Sequence, residues 1–142
     1  MASESFEKKI EYELAKLDGA QLVIFAWRCA VRALPFIGSF GNFDFWREGI
    51  RQKYIYAVFY ALNFRTATGT INSIAAFTAA SVVSTIGAAS IRAVDAAIKA
   101  VAASTRTAGI IASRGPTSTI AAQAAIAAYA AAAASSADSQ SG

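Results

Sequence analysis

The chain has 142 residues and no histidine. That absence removes Ser-His-Asp triads, Cys-His pairs and every histidine-bearing metal site. Cysteine is almost as scarce: Cys29 stands alone, so no internal disulfide can form. With nine acidic residues and one thiol, no metal-ligand cluster is legible, and neither a GxxxxGK(S/T) nor a GxGxxG loop is present to cradle a phosphate. The expectation is a protein that is not an enzyme, with no catalytic residues, no cofactor and no metal. Prolines number two, and the alternation of apolar and polar residues that marks strands is scant. The N-terminus lacks a basic stretch followed by an apolar one, which argues against a signal peptide and for a cytoplasmic protein.

Alanine is abundant. The chain has 35 alanines, 27 of them after Arg65. Alanine is the best helix former and is depleted from strands. The fold class expected is all-α: a single bundle of five or six helices over residues 1–134, followed by a polar tail or linker at 135–142. The 13 basic residues outnumber the acids and give a net charge of +4, but they are spread from Lys8 to Arg114. Nucleic-acid binders gather such charge into a patch or stripe, so nucleic acid is not the expected partner.

Residues 21–34, QLVIFAWRCAVRAL, read as the central helix. Only Gln21, Arg28 and Arg32 interrupt its apolar surface, and a helix apolar almost all round is buried on several sides. Leu22, Phe25, Trp27, Cys29, Val31 and Leu34 are the expected core, with Arg28 and Arg32 held inside by acceptors such as Asp18, Asp44 or Glu48. Asp18 and Gln21 have the spacing of a capping box, and Leu17 and Leu22 that of a hydrophobic staple. Pro35 is expected to end this helix. About 15 residues are too few for a membrane span, which needs about 20.

Before it, residues 4–17 read as an amphipathic helix with Phe6, Ile10, Leu14 and Leu17 on one face. After it comes FIGSFGNFDFW (residues 36–46), where aromatics alternate with glycines and polar residues. Phe40, Phe43, Phe45 and Trp46 either fold back under the core or, with Arg47 and Arg51, offer a docking surface to a partner or membrane. Residues 47–64 read as a helix with Ile50, Tyr54, Ala57, Ala61 and Phe64 along one stripe, widened by Val58, Phe59 and Leu62, and with Tyr54, Tyr56 and Tyr60 as a rim of phenols. Residues 66–91 carry no charge. They suit a tightly packed buried helix, and their length would also permit a membrane span. Ile91, Val94, Ile98, Val101 and Thr105 form a narrow stripe on the next helix, closed by Gly109. A last helix over residues 117–134 has only Ile120, Ile126 and Tyr129 as large side chains. It is expected to be the least firmly packed, or to stack on another copy of the chain.

The run FAWRCAVRALP (residues 25–35), followed by a basic helix and alanine-rich helices, resembles a group of bacterial all-α proteins classed as immunity proteins. Specific resemblance covers roughly residues 20–62. That group carries histidines in its later helices, and this chain has none. The resemblance implies a helical interaction module of a bacterial conflict or defence system that binds a protein partner, a toxin or a larger effector. It brings no catalytic residues. Two alternatives stand beside it: a membrane-inserting or pore-forming effector domain using residues 66–91, and a self-assembling protein that forms a homo-oligomer through its alanine-rich helices.

Overall fold

The computed structural model describes residues 8–10, 12–14, 16–37, 46–63, 73–86, 91–115 and 119–141. Every regular element among them is helical. They are α1 (residues 8–10 and 12–14), α2 (Gly19–Ile37), a 3-10 turn (Glu48–Ile50) leading into α3 (Arg51–Leu62), α4 (Ser73–Thr85), α5 (Arg92–Arg114) and α6 (Thr119–Ser141). The architecture is the expected all-α bundle.

The entry to α2 is built as its sequence signals. The Gln21 backbone N–H donates to Asp18 Oδ1 at 2.8 Å, and the Asp18 N–H donates to Gln21 Oε1 at 3.0 Å, a reciprocal capping box. Its exit differs from expectation. The helix passes through Pro35 and is described as far as Ile37. Proline removes one hydrogen bond to the carbonyl four residues back. Here that loss falls in the final turn on an exposed site, and continuing the helix carries Phe36 and the buried Ile37 into the core.

The centre of the bundle is α5, not α2. α5 packs against α2, α3, α4 and α6, while α2 also packs on α6. From Ala97 to Ile110 only Lys99 and Arg106 reach solvent. The physical reason is side-chain size. Ala100, Ala102, Ala103, Ser104, Ala108 and Gly109 let neighbouring backbones come close on several sides, and close approach multiplies weak dispersion contacts. Gly109, expected to terminate this helix, lies inside it. A Cβ at Gly109 would stand 3.2 Å from the Ala76 Cβ and from the Phe77 ring, so the glycine lets α4 cross α5 closely. The helix stops instead at Gly115, whose φ of 89° suits glycine and whose N–H donates to the Ile111 carbonyl at 2.9 Å.

Two apolar clusters flank α5. One gathers Ile37, Trp46, Val58, Leu62, Val83 and Ile86 around Val94, Ile98 and Val101. The other joins Leu14, Leu22, Ala26 and Cys29 to Ile110 and the alanines of α6. The last helix is therefore firmly seated: Ala121, Ala125 and Ala128 are fully buried although its large side chains are few. Residues 135–141, expected to be an unordered tail, extend α6. Ser135 is buried and its hydroxyl donates to the Ala132 carbonyl at 2.8 Å.

Of the expected long element at 66–91, residues 66–72 and 87–90 lie outside the described residues. Its described part is α4, 13 residues long, about 20 Å at 1.5 Å per residue. That is short of the roughly 30 Å hydrocarbon core of a bilayer.

Candidate functional site

Helix ends expose carbonyls that lack intrahelical partners, and three side chains close those of α3 and α4. Trp27 Nε1 donates to the Leu62 carbonyl at 3.1 Å, and Thr105 Oγ1 to the Ala61 carbonyl at 3.0 Å. Trp46 Nε1 donates to the Ile86 carbonyl at 3.0 Å, just past α4. Arg51 Nε in turn donates to the Trp46 carbonyl at 2.9 Å. The Trp46 indole also meets the Tyr54 ring edge-on, with centroids 5.4 Å apart. These bonds fix α3 and α4 as a pair on one side of α5.

Of the residues proposed as a docking surface, Trp46 is buried in the core, and Arg51 is half-buried with its Nε committed to a backbone carbonyl. This corrects the docking expectation for Trp46: the fold-back reading describes it instead, because its indole N–H needs an acceptor and finds one inside. Arg47 is exposed. Phe40, Phe43 and Phe45 lie outside the described residues. Of the expected core set, Leu22 and Cys29 are buried, while Phe25, Trp27, Val31 and Leu34 are half-buried. Arg28 and Arg32 were expected inside. Both are exposed, and neither makes an ion pair with a described residue. Gln21, Arg28, Arg32 and Pro35 are all exposed and follow one another at helical spacing, a polar stripe that faces water while the other sides of α2 meet α5 and α6.

The paired helices present an apolar outer surface. On α3, Tyr56, Phe59 and Tyr60 are 69%, 54% and 46% exposed. The Tyr56 and Tyr60 rings stack with centroids 6.1 Å apart, and Lys53 and Asn63 share that outward side. On α4, Ile74, Phe77 and Val82 are exposed. The α3 aromatics are the functional candidates that sequence reasoning assigned only to a rim or a widened stripe. The available signal was that Ile50, Tyr54, Ala57 and Ala61 already fill the inward side, which leaves Tyr56, Phe59 and Tyr60 on the other.

Elsewhere the surface is less suggestive. A cavity of about 330 Å³ between α1, α2 and α6 is lined by Lys9, Ile10, Glu13, Leu14, Phe25 and Tyr129, and stands open to solvent. Burial pushes the Cys29 thiol above its ordinary range, with nearby Arg32 pulling it partly back, so it is a poor nucleophile. Among the described residues no three His, Cys, Asp or Glu side chains group as metal ligands. By length and composition α2 and residues 119–138 of α6 are long and apolar enough to cross a membrane; both pack against α5 here. The chain matches no protein family, no curated protein and no solved structure.

Proposed function

We propose that this protein is a non-enzymatic helical docking module that holds a protein partner against the outward side of α3. The observation that supports this reading is the cluster of Tyr56, Phe59 and Tyr60, three large aromatic side chains exposed side by side on one helix. Aromatic side chains dominate the energetics of protein interfaces, because they bury much area with little loss of conformational freedom. Lys53 on the same side and Arg47 before the helix give the cluster a basic edge, which suits a partner with an acidic rim and steers its approach.

The partner class rests on the resemblance of residues 25–35 to immunity proteins. It is a toxin or larger effector of a bacterial conflict system, neutralised by occlusion. The self-assembly alternative draws no support from the narrow stripe of Val94, Ile98 and Val101, which is fully buried within one chain.

The test is protection of cells that express a candidate toxin encoded beside this gene. The parent chain should restore growth and bind the toxin in calorimetry. Tyr56→Ala/Tyr60→Ala should keep its melting temperature and lose both. A double variant that protects as well as the parent would remove the α3 face from the mechanism.

A further inference from the structure

The outward side of α4 differs chemically from that of α3. α4 carries no formal charge in 13 residues. Ile74, Phe77 and Val82 project from it, and three of its exposed hydroxyls turn back on their own helix, while Ser81 on the same side stays in water. Thr78 Oγ1 donates to the Ile74 carbonyl at 2.9 Å, Ser84 Oγ to the Ala80 carbonyl at 2.9 Å, and Thr85 Oγ1 to the Val82 carbonyl at 2.7 Å. A hydroxyl already bonded to its own helix gives up little when it leaves water, whereas an unbonded one is costly to bury. The opposite side of α4 cannot turn outward, because Ala76, Ala80 and Val83 are locked into the bundle. α4 is thus a fixed helix with one uncharged face, on which three hydroxyls are satisfied by their own helix.

We propose that this face seats the protein on an anionic lipid surface, with α4 lying in the plane of the headgroup–acyl boundary. The described helix, about 20 Å long, is short of the hydrocarbon core, and its uncharged side beside basic residues suits lying along the surface. Charge complementarity selects anionic headgroups. Arg47 follows Trp46, whose indole bonds the Ile86 carbonyl just past α4; Lys53 is exposed on α3, which packs on α4; and Arg106 is exposed one turn from Gly109, the glycine that Phe77 packs against. Against these stands Glu48; Asp95 on α5 is paired with Lys99 at 3.0 Å. Tyrosines belong at the membrane interface, where the ring is buried and the hydroxyl stays wet. Tyr56 and Tyr60 are exposed on α3, the helix packed beside α4. Apolar contact supplies one part of the affinity, and attraction of Lys and Arg to anionic headgroups the other. The inference goes beyond the protein-docking reading and does not rest on it.

The experiment is flotation of the full chain with vesicles of phosphatidylcholine alone and of phosphatidylcholine mixed with phosphatidylglycerol. The parent should float with the anionic vesicles and much less with the neutral ones. Ile74→Glu/Val82→Glu, at two exposed sites, should keep the parent melting temperature and bind at least about tenfold more weakly, whereas Ile74→Leu should bind as the parent does. Ile74→Trp supplies a reading independent of the charge variants: its emission should shift to the blue on anionic vesicles and stay unchanged on neutral ones. A parent that does not float, a double variant that floats undiminished, or an Ile74→Trp emission unmoved by anionic vesicles would each overturn the proposal. So would light scattering that finds an oligomer dissociated by Ile74→Glu/Val82→Glu, since a second copy would then cover the face. Loss of toxin binding in the α3 variants with flotation intact would leave this inference standing, and a parent that binds the toxin but does not float would remove this inference alone.

Discussion

Isoleucine offers a matched probe of which helix carries the bundle. Ile98 on α5 is fully buried, Ile24 on α2 is half-buried, and Ile120 and Ile74 are 41% and 76% exposed. Replacing each with alanine deletes the same three carbons from a helix. At about 0.8 kcal/mol per buried methylene, Ile98→Ala forfeits about 2.4 kcal/mol of transfer free energy. The cavity left behind adds to this, because neighbours relax only in part, and measured losses for such truncations run from about 2 to 5 kcal/mol. Around Ile98 the neighbours are Val94, Val101 and the side chains of α3 and α4 that meet them. Anchored on separate helices, they cannot easily close the gap, which places the expected loss at about 3–4 kcal/mol. Ile24→Ala should cost about half the transfer term, near 1 kcal/mol. Alanine's better helix propensity returns a few tenths at every site, so Ile74→Ala and Ile120→Ala should fall within about 0.5 kcal/mol of the parent. Urea unfolding followed by far-ultraviolet circular dichroism and tryptophan fluorescence gives the four values at constant m. The claim that α5 is the centre fails if Ile24→Ala costs as much as Ile98→Ala, or if Ile98→Ala costs less than about 1 kcal/mol.

Three further outcomes follow from individual contacts. Trp46→Phe keeps an aromatic ring in the core but leaves the Ile86 carbonyl without its indole donor; a loss of about 1–3 kcal/mol is expected in the same urea assay, and an unchanged midpoint would show that the bond carries no weight. Gly109→Leu should destabilise although leucine is the better helix former by about 0.8 kcal/mol, because Ala76 on α4 stands 3.2 Å from where the Cβ would be; a raised melting temperature would contradict the close crossing. Cys29 should resist alkylation at neutral pH, since burial pushes its thiol up. With its folded pKa above the unfolded value, its contribution to stability is complete below the ordinary thiol range, about 8.5, and is lost as pH rises from there through the higher folded value. In Cys29→Ala that alkaline decline should shrink, and rapid labelling of the native parent would refute burial.

Much of the local architecture was legible in the amino-acid sequence, because local structure depends on neighbours in the chain. The Asp18–Gln21 capping box and the inward stripe of Val94, Ile98 and Val101 both follow from residue type and spacing, and both appear in the fold. All-α class followed from the alanines for the same reason. What the tertiary structure alone decided is which helix lies innermost and which side of each helix is left over. Large apolar residues at 21–34 suggested a centre there, but bulky side chains hold neighbours apart, whereas the small residues of α5 admit α2, α4 and α6 together. Pro35 and Gly109, local stop signals, were overridden because packing of Ile37 and the crossing at Ala76 outweigh one lost hydrogen bond or a weak propensity. The exposed aromatics of α3 and the uncharged face of α4 belong to the same category. Both helices are apolar on more than one side, so periodicity could not say which side meets the core; that was settled only when α3 and α4 were pinned against α5 through Trp27, Trp46 and Thr105.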